Sequence, residues 1–457
     1  MRIAPARQAA FHILDCVEGG HAFAVDLLQG RDTEAMKEAD RRLATELVMG
    51  TLRWRGELDY QLERLSGKAL RYFDPEVATI LRLGIYQIRF LEKIPKSAVV
   101  NEAVELTKAA RKRSAAGLVN AVLRKCQPAK WHAIKSVAGK PGAELVAAAR
   151  RSFPAWMFER WEQAYGKGAA DSLALAGLTV PPTTLRVVRG EREEVRQQLA
   201  REGIQTAFGK YSTQALRVLS GNTLSSDTFR DGDVVIQDEA SQLVASLVAP
   251  QAGQRILDLC AAPGIKAHQL AVALGEGTLV AGDLSARRLR TMKRLLSGRI
   301  PASIRLHRVR LDASRELPFA GCFDRILVDV PCSGTGTLAR NPEIKWRLKP
   351  QDLARFSELQ RRILQNALPL LAAGGRLVYS TCSLEPEENE QVVERVLREA
   401  EGCRPLSAAE LSSEFPGLAA LFDSRGYFRT RPDLHAMDGF FAAVISRVAR
   451  SQVAAAA

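Results

Sequence analysis

From residue 236 to about 450 the chain repeats one unit: a short apolar run, a turn rich in glycine and small residues, then a helix-like segment. The apolar runs fall at 255–260, 278–283, 304–310, 325–330, 376–381 and 440–446. Helix-like segments at 266–274, 286–296, 352–371 and 388–399 lie between them. Strands joined through helices run parallel, and parallel strands are buried on both faces. The rhythm therefore predicts a doubly wound α/β sheet, Rossmann-like, with its ligands outside the carboxyl ends of the strands.

What precedes this region follows a different period. Residues 1–140 carry apolar positions near every 3.6 residues: Ala9, Ile13, Val17 and Val25, then Leu43, Leu47, Val48 and Leu52. Val99, Val100, Ala103, Val104 and Thr107 form one stripe on a further helix, so an all-helical domain is expected over 1–140. A Gly- and Pro-bearing stretch at 138–143 reads as a boundary. Residues 141–235 then mix strand-like runs (184–188, 203–207, 215–219) with a polar helix (191–202), as a small α/β module would. A multidomain α plus α/β architecture of 1–140, 141–235 and 236–450 follows, with 451–457 as a frayed tail. A chain of 457 residues is too long for one compact core.

Charge narrows the partners. Sixty-five lysines and arginines against 51 acids leave a net charge of +14. Nine of the basic residues lie between Lys108 and Lys140 and nine between Arg287 and Arg310, both segments without an acid. Acid-free basic segments suit a polyanion such as nucleic acid. The seven cysteines are scattered and form no C-x-x-C pair, which argues against a disulfide framework and a zinc site. No apolar stretch approaches the ~18 residues that span a bilayer, and the N-terminus lacks a signal-type apolar core. A cytosolic monomer without membrane or metal partners is expected.

The strand ends carry the chemistry. The first strand of the sheet runs into Cys260-Ala261-Ala262-Pro263-Gly264, a turn directly before a helix, where a ligand can approach backbone and helix N-terminus. The next strand ends in Asp283, roughly 20 residues on, a position suited to ribose hydroxyls. A helix N-cap role for Asp283 competes with that reading. The third strand ends near Asp312, where a side-chain oxygen can meet an adenine amino group. Without G-x-G-x-x-G, one nucleoside ligand fits better than a dinucleotide. Two later strands end in cysteine: Asp329-Val-Pro-Cys332 and Ser380-Thr-Cys382. Two thiols opening on one crevice suit a redox pair, a metal pair, or a nucleophile with its helper.

Taken in series, Asp258-Leu-Cys-Ala-Ala-Pro-Gly-Ile-Lys266, Asp283, Asp329-Val-Pro-Cys-Ser-Gly-Thr-Gly336 and Ser380-Thr-Cys-Ser383 resemble the motifs of RNA cytosine C5-methyltransferases. The segments at 237–245, 340–347 and 438–443 look like the same family's flanking motifs. The helical N-terminus, with Arg82-Leu-Gly-Ile-Tyr-Gln-Ile-Arg-Phe90, is similar to a NusB-like RNA-binding domain. The resemblance implies S-adenosyl-L-methionine as cofactor and 16S ribosomal RNA as partner. It implies cofactor contacts from Cys260, Ala261, Ala262, Pro263, Gly264, Ile265, Lys266, Asp283, Asp312 and Asp329. It assigns attack to Cys382, product release to Cys332 and base recognition to Asp329. The same chemistry on tRNA, or a non-catalytic rRNA assembly factor, are the alternatives. Ile265 and Ala267 stand where the family usually has glycine and threonine. Because a β-branched residue resists positive φ, this loop is expected to take another conformation or to bind cofactor less tightly.

Overall fold

The computed structural model describes residues 3–20, 22–129 and 142–448. The expected tail and most of the 138–143 boundary lie outside the described residues. The chain divides into two compact units, Met1–Val180 with Leu338–Leu348, and Pro181–Thr337 with Lys349–Ala457. Among the described residues no helix is long and apolar enough to cross a membrane.

The first unit is helical. Its long helix Glu38–Ser66 packs on Pro5–Glu18 and on Pro75–Phe90. Helix Pro75–Phe90 is buried almost all round, from Val77 to Ile88, as a central helix must be. Gly50 lets it approach, since a Cβ there would lie 2.0 Å from the Tyr86 ring. Helices Ala143–Arg151, Ala155–Tyr165 and Lys167–Leu178 fall in this unit, although their place in the sequence suggests the 141–235 module.

Residues Leu338–Leu348 follow the Pro-Cys motif in sequence yet pack inside the helical unit. Glu343 accepts the Ala24 amide at 2.8 Å, and Arg53 Nε donates to the Ala339 carbonyl at 3.0 Å. Lys345, fully buried, donates to the Arg53 carbonyl at 2.7 Å and lies 4.0 Å from the Phe153 ring centroid. Burial first, then Arg53 and Arg55, hold its ammonium well below the ordinary lysine range.

The second unit begins with an antiparallel sheet of β1 (Thr184–Val187), β2 (Gln205–Phe208), β3 (Ala215–Ser220) and β4 (Val234–Ile236), ordered 2-3-1-4. Helix Arg192–Arg201 covers it through Val195 and Leu199. The large sheet comprises β5 (Arg255–Asp258), β6 (Gly277–Asp283), β7 (Ile304–Arg310), β8 (Phe323–Asp329), β9 (Leu371–Thr381), β10 (Cys403–Pro405), β11 (Phe428–Arg429) and β12 (Phe441–Arg447). Its order is 10-12-9-8-5-6-7, with β11 paired to β12. Strands β5 to β9 run parallel, whereas β12 is antiparallel to β9. Successive residues serve opposite faces, as the pleat requires: Ile256 and Leu327 enter one core, Leu257, Ile326 and Val328 the other.

The order reverses direction at β5, which has β6 on one side and β8 on the other. Such a switch point opens a crevice at the carboxyl ends of the strands. A buried arginine ties the small sheet to the helix that borders it. Arg186 on β1 donates to Gln237 Oε1 at 2.7 Å and meets His268 Nδ1 at 2.8 Å. His268 lies on helix Ile265–Leu274, and its Nε2 donates to the Arg299 carbonyl at 2.9 Å. Burial, then Arg186, pushes this imidazole down to about 4, so it stays neutral and can accept from the guanidinium.

Candidate active site

At the switch point β5 ends in Asp258 and the chain turns through Ala261 and Ala262. The Ala261 amide donates to the Gly282 carbonyl at 2.8 Å, fixing the turn against β6. Gly264 takes the left-handed conformation (φ +111°), where a Cβ would lie 2.6 Å from Met292 Cγ. Ile265 opens helix Ile265–Leu274 and needs no positive φ. Gly264 occupies the position in this turn that demands left-handed backbone, so Ile265 is accommodated in helical conformation. Ala267 is buried in the adjacent core, where an apolar methyl suffices. Pro263 is the exposed member of the turn.

Asp283, at the end of β6, is buried. It accepts from the Ser285 amide at 2.8 Å and the Ala262 amide at 3.3 Å, and pairs with Arg288 at 3.4 Å. The competing N-cap role falls instead to Ser285, whose Oγ accepts from the Arg288 amide. Asp283 thus joins two strand ends. Asp312 is engaged locally: it accepts the Ser314 amide at 3.0 Å and hydroxyl at 2.7 Å and pairs with Arg315. The Ser314 bond holds its pKa below the ordinary range.

On the other side of β5, Lys266 Nζ donates to Asp329 Oδ2 at 2.8 Å, and Ser380 Oγ donates to Asp329 Oδ1 at 2.7 Å. Burial alone would lower the Lys266 pKa, but Asp329 outweighs it and the shift is upward. The Cys332 and Cys382 sulfurs lie 3.1 Å apart, although 50 residues separate them in sequence. The hydrogen bond to Cys382, and then burial, raise Cys332 well above the ordinary thiol range. Its thiol therefore keeps its proton at neutral pH, and the S···S contact lets either sulfur act as donor. Cys260 sits against the second core, and burial, then Asp258 and Asp329, keep it a thiol.

Several residues that hold this site do not stand out in the sequence. Glu388, fully buried, accepts from the Ser333 amide and Gln360 Nε2 through Oε1 and from the Ser333 and Ser383 hydroxyls through Oε2. Ser333 and Ser383 each follow a site cysteine, a signal available in the sequence. Gln360, on helix Pro350–Ala367, carries none. Gly336 donates to the Cys382 carbonyl at 2.9 Å, and Gly439 donates to the Gly336 carbonyl at 2.8 Å. A Cβ at 336 would lie 2.0 Å from the Gly439 oxygen, so glycine lets three loops meet. Among the described residues no group of His, Cys, Asp or Glu is arranged to hold a metal ion.

The acceptor set suits a nucleoside that brings hydroxyl and ammonium donors. Asp258, Asp283 and Asp329 lie within electrostatic reach of one another at the strand ends, and buried Asp258 meets no side-chain donor, only the Cys260 amide beside it. That is the chemistry expected of a site for a sulfonium-bearing adenosine, with ribose hydroxyls and a methionine ammonium to satisfy.

Comparison with known proteins bears on the chain as a whole. Residues 245–446 match the model for 16S rRNA methyltransferase RsmB/F, 4–128 the NusB family, and 153–224 the RsmF/B-like ferredoxin-like domain. The chain is 35% identical to the probable ribosomal RNA small subunit methyltransferase B of Bacillus subtilis, over 96% of this chain and 98% of that one. It is 34% identical to the protein of the same description from Synechocystis, over 97% and 99%. Among solved structures, a methyltransferase homolog protein from Pyrococcus horikoshii superposes with TM-score 0.57 at 26% identity, covering 67% of this chain and 100% of that one. NSun6 from the same organism, solved with SFG, shares the fold with TM-score 0.55 at 21% identity, covering 65% and 98%. Near full-length identity above 30% with such relatives, together with the three matched segments, settles the family: the chain belongs to the ribosomal RNA small subunit methyltransferase B family, with a NusB-type helical domain ahead of a ferredoxin-like and a methyltransferase domain.

Proposed function

We propose that this chain methylates carbon 5 of a cytosine in 16S ribosomal RNA, using S-adenosyl-L-methionine and a covalent adduct between Cys382 and carbon 6. The observation that carries the reading is the 3.1 Å approach of two thiols beside the Lys266–Asp329 pair. Cytosine C5 is a poor nucleophile. Addition of the Cys382 thiolate at C6 breaks the ring conjugation and makes C5 enamine-like. Asp329, held by Lys266 and Ser380, would accept from the amino group of the base, while a proton donated to N3 stabilises the charge that develops. When bound, S-adenosylmethionine supplies the electrophilic methyl group. The residues that would hold it are those of the turn from Cys260 to Lys266, with Asp283, Asp312 and Asp329. In release a water molecule would take the C5 proton as base, the C5–C6 double bond re-forms, and the Cys332 thiol promotes the step by giving its proton to the departing Cys382 thiolate.

Residues 1–140 and 141–235 are read as the RNA-binding parts and 236–450 as the catalytic part, in a cytoplasmic protein. The target base must be unstacked to reach the crevice. Methylation of 16S rRNA transcript by the full chain, with adducts resolved on a denaturing gel, tests the assignment. Cys382→Ala should abolish methylation and form no adduct. Cys332→Ala should accumulate a covalent RNA–protein adduct. The reverse pattern would overturn the assignment of roles.

A further inference from the structure

Glu388 lies between β9 and helix Glu390–Leu397, fully buried. Its four side-chain hydrogen bonds come from neutral donors, and three of these belong to the two residues that directly follow the thiols. Oε1 accepts the Ser333 amide at 2.8 Å and Gln360 Nε2 at 2.9 Å, while Oε2 receives both serine hydroxyls. Gln360 also donates to the Pro331 carbonyl at 2.9 Å, on the other side of Cys332. The backbone of Glu388 is itself held, since Tyr379 Oη donates to its carbonyl. Asn389 donates to the Ser383 carbonyl at 3.0 Å and accepts from Thr381 Oγ1. One carboxylate thus joins the loop after β8 to the loop after β9. A buried carboxylate left short of donors would be costly, so the two loops are held in register by what satisfies it.

We propose that Glu388 is a positioning residue for the two-thiol reaction, clamping Ser333 and Ser383 so that the Cys332 and Cys382 sulfurs stay within 3.1 Å. The proposal rests on the cysteine roles given above. Attack at C6 by Cys382 does not use the second thiol. Release needs the second thiol held beside the adduct. Loosening the clamp therefore slows release more than binding, and displacement on the ångström scale costs on the order of 100-fold in rate.

The test uses the full chain and two variants, Glu388→Gln, which keeps shape, and the double change Ser333→Ala with Ser383→Ala, which keeps the carboxylate. Expected for both is a kcat lower by about 10- to 100-fold, KM for RNA and cofactor within about 2-fold, and accumulated covalent adduct. Unchanged kcat in folded variants overturns the proposal. So does a loss that appears as raised KM and lowered Tm without adduct. A second readout needs no RNA. Diamide takes two electrons and two protons from neighbouring thiols, giving a disulfide and a hydrazine, and the Cys332–Cys382 crosslink should form at least several-fold more slowly in both variants. A slowed crosslink in variants of a wild-type chain that methylates no cytosine would leave the clamp standing and remove the functional reading. An unslowed crosslink removes the clamp.

Discussion

Asp258 closes β5 with both oxygens buried and the Cys260 amide as the only hydrogen-bonding group beside them. Burial, and then the neighbouring Asp329 charge, push its carboxyl up to about 8, against the smaller pull of Lys266. A folded-state pKa above the unfolded value means that the native chain binds more protons between roughly pH 4 and 8. Its contribution to stability is full below about pH 4 and lost as pH rises through about 8. Relative to wild type, Asp258→Asn should show a flatter decline of stability over that window, by up to about 1.4 kcal/mol per pH unit for one proton. Urea unfolding at a series of pH values checks this; parallel curves would remove the raised carboxyl. Asp258 stands in the sequence inside the first apolar run, 255–260, but how few donors it meets depends on which side chains fold around it. Glu388 is hidden for the same reason. It sits in an acidic run, 385–390, that reads as solvated surface until Ser333 and Gln360 fold onto it.

At the scale of elements the two acid-free basic segments part company. In the first, Lys108 pairs with Glu105 at 2.7 Å and Lys112 with Asp74 at 3.2 Å, while residues 130–140 lie outside the described part. Acid-free in sequence is thus not acid-free in space. In the second, helix Ala286–Leu296 exposes Arg287, Arg290, Lys293 and Arg294, and the edge strand β7 exposes Arg305, Arg308 and Arg310. Charges on an edge strand also keep it from pairing with other sheets, so the helix offers the cleaner test. Lys293→Ala with Arg294→Ala should weaken RNA binding and reduce the slope of log affinity against log salt by about 0.7–0.9 for each phosphate that is no longer neutralised. Cofactor affinity should not change. An RNA titration from low to high salt whose slope matches wild type would place the RNA elsewhere.

Across the whole molecule, the compact units do not follow chain order. Leu338–Leu348 continues from the loop that carries Cys332, yet its Glu343, Lys345 and Arg347 bond within the helical unit, Arg347 to the Val17 carbonyl at 2.8 Å. A fragment beginning at Pro181 would leave buried Lys345, Leu338 and Leu348 without their packing partners. Expected is a fragment of low soluble yield that proteases cut within 338–348, with protection restored by residues 1–180 supplied in trans; a stable, uncut fragment would contradict it. The strand–turn–helix rhythm, the helical N-terminus and the residues at the strand ends are all present in the linear chain, because period and local backbone demands are written residue by residue. Folding in three dimensions was needed to bring two cysteines 50 residues apart to 3.1 Å, to join their loops through Glu388, and to assign 338–348 to the helical unit. Those outcomes depend on how buried polar groups find partners far along the chain, and no local pattern encodes such pairings.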